Sequence, residues 1–176
     1  MKIRKISTLA VIGMFFACLP SMASGQTTGS QTFKVVVPQS ISIVAPSETS
    51  LTHDQTDSPQ VFPVQTWLVK GNVSAGVNVK FIAAQPFTHT TDAASKRDVK
   101  LDLSVGAKQG PATWTVDVAS DMTNHEASDQ DAQVVASSNG VGRANLNLAV
   151  SFIGGEFGVF AAGDYVTTVV GTIAAN

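Results

Sequence analysis

Cysteine is the first thing this chain lacks. The 176 residues contain one, Cys18, and it lies in an N-terminal stretch with the marks of a removable export signal. "MKIRK" is a short basic opening, "LAVIGMFFACL" an apolar run that ends at Pro20, and "SMA" places small residues at a cleavage point after Ala23. The apolar run is too short for a membrane span, and none is expected after cleavage. Lipid attachment at Cys18 is the rival form of processing. The chain left after Ala23 has no cysteine, which excludes disulfides, thiolate metal sites and a cysteine nucleophile. A secreted domain without such staples must be held by its core, and about 150 residues suffice for one.

Positive charge is also scarce. After cleavage eight Lys/Arg face thirteen Asp/Glu, a net charge of −5. Such a surface disfavours nucleic acid and anionic lipid as partners. Helical periodicity is missing too; the longest helix candidate, near 93–97, is one turn. Catalytic signatures are absent: there is no G-x-S-x-G elbow, no H-E-x-x-H and no phosphate-binding glycine loop. No enzymatic activity and no cofactor are expected. His53, His89 and His125 are far apart and read as solvated loop residues without metal-ligand spacing. The acidic stretch "DMTNHEASDQD", with Asp121, Asn124, Glu126, Asp129 and Asp131, offers oxygen ligands for calcium but matches no calcium-loop spacing, so it reads as a solvated loop.

What is present is strand alternation. "LDLSV", "TWTVDV" and "ANLNLAVSF" each put apolar residues on one face: Leu101, Leu103 and Val105; Trp114, Val116 and Val118; Leu146, Leu148, Val150 and Phe152. "QTWLVKGNVSAGVNVKFIA" reads as two strands around a turn at 74–76, and Asn139-Gly140 separates another pair. Seven or eight strands are expected in one all-β domain, an immunoglobulin-like β-sandwich, with a closed barrel as the structural alternative. The expected division is a signal over 1–23, a flexible leader over 24–32 and a single sandwich over 33–176. Trp114 shares the parity of a buried face, while Trp67 invites a sugar-stacking role. "NVS" at Asn72 matches a glycosylation acceptor.

Two segments bear on assembly. In "TFKVVVPQSISIVAP", Phe33, Val35, Val37, Ile41 and Ile43 share one parity, and Pro38 divides them. This is an edge-type strand, or two short ones. In "AAGDYVTTVVGTI", residues 164–173 read as a strand carrying Tyr165, Val169, Gly171 and Ile173. An exposed apolar edge aggregates unless something pairs with it, either from within the chain or from a neighbour.

With these stretches the sequence resembles bacterial chaperone–usher fimbrial subunits, most of all the α-class major pilins. "KGNVSAGVNVKFIAAQP" is similar to that family's early hairpin, and "AAGDYVTTVVGTI" to its last strand. The resemblance implies an incomplete immunoglobulin-like sandwich and a donor strand at Phe33, Val35, Val37, Ile41 and Ile43. It implies a C-terminal strand in which Gly171 can serve as the small notch residue. The partners it implies are other copies of the chain or related subunits, and a periplasmic chaperone. The location is secreted or at the cell surface, in a fimbrium, reached through the periplasm. The lack of a disulfide also fits that class. The alternative function is a monomeric secreted sandwich that binds carbohydrate or protein.

The exported protein should begin at Ser24. Intact-mass measurement checks this, and a lipidated N-terminus at Cys18 would overturn it.

Overall fold

A computed structural model describes residues 25–176. The expected signal segment, its cleavage point and Cys18 lie outside the described residues. The chain divides into two units, Met1–Val36 and Val37–Asn176. Of the first, residues 25–36 adopt no regular element and are exposed. Every strand among the described residues lies in the second.

Twelve strands occur in chain order: β1 (Ile41–Val44), β2 (Gln60–Val61), β3 (Gln65–Gly71), β4 (Val77–Ala83), β5 (Phe87–His89) and β6 (Lys96–Gln109), then β7 (Trp114–Val118), β8 (Ser120–Met122), β9 (Ala132–Ser138), β10 (Gly142–Ile153), β11 (Tyr165–Val166) and β12 (Val169–Ala175). Eight have four or more residues; these are the strands that alternation reveals. The other four, β2, β5, β8 and β11, are too short to show a period and extend the larger sheet. That sheet has the order β1-β3-β10-β6-β5-β11, with β2 beside β10 and β8 beside β6. The smaller has the order β12-β4-β9-β7. All ladders are antiparallel, so the fold is an all-β sandwich.

The core lies between the sheets, where the alternation puts it except at Val118, which follows a register shift after Val116 and is exposed. In β6, Val99, Leu101 and Leu103 are buried; in β10, Ala144, Leu146 and Leu148. The two strands register so that Leu148 sits opposite Leu103 and Val150 opposite Leu101. Trp67 and Phe81 meet edge to face at 5.0 Å, and Trp114 closes the same cluster. Burying one such side chain is worth about 1.5–3 kcal/mol.

The turns at 74–76 and 139–140 form where the sequence places them, but neither closes a hairpin. β3 belongs to the larger sheet and β4 to the smaller; β9 and β10 are divided in the same way. Trp67 and Val69 of β3 must meet Val79 and Phe81 of β4 across the core, which an arch between sheets achieves and a hairpin does not. At the arch, Gly76 has φ +90°, and a Cβ there would run into the Ser138 carbonyl. The Ser138 hydroxyl accepts the Val77 N–H at 3.0 Å, tying the two arches together.

Leu148, 1% exposed, should cost about 2–5 kcal/mol when changed to alanine. Urea unfolding with an unchanged slope would check this.

Candidate assembly groove

One flank of the sandwich is open. β1 ends the larger sheet and β12 ends the smaller. They lie alongside each other, yet no backbone hydrogen bond joins them. The side of β12 that faces away from β4 has no ladder partner among the described residues. β12 alternates, with Val169, Gly171 and Ile173 half-buried and Val170 and Thr172 exposed. Across from them, Ile41 and Ile43 of β1 are also half-buried. Ile41, Ile43, Val169 and Ile173 all pack against the core without being closed off from water. The result is an apolar cleft with one wall of unpaired main chain.

Gly171 is fixed by packing. A Cβ there would come within 2.8 Å of the Trp67 ring, 2.9 Å of Ile43 Cδ1 and 3.1 Å of Phe81. The space a notch would leave is already taken by the protein's own side chains.

The nine residues that the sequence singles out are distributed as follows. Ile41 and Ile43 belong to β1, paired with Gly71 and Val69 of β3. Phe33, Val35 and Val37 lie before the strand in a segment that joins no ladder, and they are 83%, 86% and 75% exposed. Pro38 separates the two groups. Val169, Gly171 and Ile173 line the cleft, but Tyr165 does not. The stretch 164–173 is two strands, not one: β11 pairs with β5 in the larger sheet, and β12 pairs with β4 in the smaller. The break lies at 167–168, where the Thr167 hydroxyl donates to the Gln85 carbonyl at 2.7 Å. Tyr165 instead donates its hydroxyl to the Ala161 carbonyl and bonds Ser95, beside the rings of His89, Phe152 and Phe160.

Asn72, which the sequence marks only as a glycosylation acceptor, has a structural role that sequence reasoning missed. Its Nδ2 donates to the Pro38 carbonyl at 2.8 Å, its Oδ1 accepts the Ser40 N–H at 2.6 Å, and its own N–H donates to the Ser40 carbonyl at 3.1 Å. This amide fixes the direction in which the chain enters β1. An asparagine just after a strand and before a turn is the only local signal for it.

The histidines are not solvated loop residues. His89 is 8% exposed within β5; its Nδ1 accepts the Asp92 N–H, and its Nε2 lies 3.2 Å from the Ala162 carbonyl. His53 sits among Phe152, Phe157 and Phe160. His125 Nδ1 lies 3.0 Å from an Asp98 oxygen that also accepts its backbone N–H. They order the loops at the end of the sandwich remote from the arches. There the Asp54 carboxyl is held below its ordinary pKa by the Thr56 hydroxyl and then by the Thr56 N–H. In the acidic stretch, Asp121 accepts the Met122 and Gln133 N–H groups and Asn124 accepts that of Ala127, so these oxygens brace the backbone. No group of three or more His, Cys, Asp or Glu is arranged for a metal ion among the described residues. Both tryptophans face the core rather than solvent. No helix among the described residues is long and apolar enough to cross a membrane.

No family model matches the chain, and no match to a curated protein or a solved structure was found.

Gly171→Val should destabilise the protein by about 1–3 kcal/mol through overpacking against Trp67 and Ile43. Val170→Thr, on the exposed face next to it, should stay within about 0.5 kcal/mol. Thermal unfolding of the pair separates the inner and outer faces of β12.

Proposed function

We propose that this chain is an exported, non-enzymatic structural subunit of a surface fibre. In this reading its sandwich is immunoglobulin-like and incomplete. The N-terminal strand of another copy, or of a related subunit, completes it, and a periplasmic chaperone covers the cleft before assembly. The observation that carries the reading is the open flank between β1 and β12, with unpaired main chain above half-buried Val169 and Ile173. An exposed alternating segment at Phe33, Val35 and Val37 supplies the complementary chemistry. Main-chain bonds to β12 would give affinity and the three side chains specificity. Each side chain contributes about 1.5–3 kcal/mol if fully buried.

Ile41 and Ile43 have a different role in this scheme. They form the floor beside β12, and the donor is limited to the residues before Pro38. A proline at that point ends the donor cleanly, because it has no N–H to continue a ladder.

Deletion of residues 24–37 should leave a subunit that folds but does not polymerise. A synthetic peptide of the same residues should then raise its melting temperature, as any ligand of the native state does. A truncated protein whose melting temperature ignores the peptide, and a full chain that stays monomeric, would favour the monomeric binding module instead.

A further inference from the structure

The charges of the sandwich are segregated along its length. The ladders place the turns 71–77, 109–114 and 138–142 at one end. No acidic side chain occurs in residues 65–84, 103–116 or 132–152, the turns of that end and the strands that run into and out of them. Lys70, Lys108 and Arg143 do occur there, and none of them forms a salt bridge among the described residues. Lys70 lies directly opposite Arg143 in the β3–β10 ladder, so the two cations share one outer face. Like charges in that position destabilise a sheet. Shallow depressions flank Arg143: Lys70, Asn72 and Gln109 line one, and Lys108 and Asn145 line the other.

The remote end has the opposite sign. Its loops, 45–60, 90–98, 123–131 and 153–165, carry ten of the acidic side chains against Lys96 and Arg97. Asp54, Asp57, Asp92, Glu126 and Asp129 are exposed there.

We propose that these two ends are complementary faces of a head-to-tail contact, with the acidic end of a second copy seated on Lys70, Lys108 and Arg143. Opposite patches on one molecule make a heterologous contact, which propagates as an open filament when the rotation does not close. The unfavourable Lys70–Arg143 pair is relieved when carboxylates arrive. The contact rests on the fibre reading for its setting and adds to it a second, electrostatic joint between successive subunits.

Sedimentation of the exported chain across ionic strength tests this. Association through the two ends should weaken at least tenfold between about 20 mM and about 500 mM salt, as the screening length shrinks from about 20 Å to under 5 Å. A polymer joined by strand insertion should survive the higher salt, so the two contacts fail separately. The double variant Lys70→Glu, Arg143→Glu should lose the salt-sensitive association with an undiminished melting temperature. Mixing it with the double variant Glu126→Lys, Asp129→Lys should restore association that neither variant shows alone. Salt-sensitive association that persists in the Lys70→Glu, Arg143→Glu variant would overturn the proposal. So would its absence in the unaltered chain. Binding to a sulfated polysaccharide that needs Lys70 and Arg143, without self-association, would assign the face to a polyanion and overturn it equally.

Discussion

An open strand edge over an apolar cleft is the constraint on which this molecule turns. Backbone N–H and C=O groups need partners, and water satisfies them only where water can reach. At β12 the outer main-chain edge has no ladder partner among the described residues, while the side chains beneath it pack against the core. Val169 and Ile173 on one side and Ile41 and Ile43 on the other are half-covered hydrophobes that a better-closed sandwich would bury. Covering them by moving β1 over β12 would break the β1–β3 ladder, whose four residue pairs run from Ile41–Gly71 to Val44–Leu68. The chain keeps that ladder, and Asn72 clamps the approach to it. The flank stays open as a consequence.

Much of the fold is written in period two. β6 and β10 read correctly because each has one apolar face and one polar face, and their register in the sheet follows from matching those faces. The arches did not read correctly, because a turn signal such as Asn139-Gly140 reports a reversal of the chain and not the sheet to which the next strand belongs. Only the placement of Trp67 against Phe81 across the core distinguishes the two. The histidines were misread for a related reason. Their sequence neighbours are polar, while their spatial neighbours, Phe152, Phe157 and Phe160 for His53 and Tyr165 for His89, come from the far end of the chain.

The candidate site was partly legible. Parity alone joins Phe33, Val35 and Val37 to Ile41 and Ile43, yet Pro38 and Asn72 make them two separate features. Parity likewise runs Tyr165 into the β12 residues, although the Thr167 bond to Gln85 redirects the chain between sheets. In both cases one polar interaction, invisible to a hydrophobic pattern, cuts a continuous run. Gly171 shows the converse. Its small size suggests a vacancy, and the packing of Trp67 and Ile43 shows that the vacancy is filled from within.

That packing constrains how a donor strand would lie in the proposed fibre. A strand advances about 3.3 Å per residue, so 33–37 spans roughly 17 Å, somewhat less than the seven residues of β12. Three inward side chains on the donor would then face three inward positions on the acceptor, at Val169, Gly171 and Ile173. Whichever direction such a donor ran, its middle residue, Val35, would fall over Gly171. That is the point where the protein's own Ile43 and Trp67 already fill the floor, and a branched residue of valine size suits it better than a long one. Phe33 is left for one of the two outer positions, beside Val169 or Ile173. The order of sizes in the exposed segment, with its largest residue at one end, keeps the bulkiest donor side chain away from the position that Ile43 and Trp67 already fill.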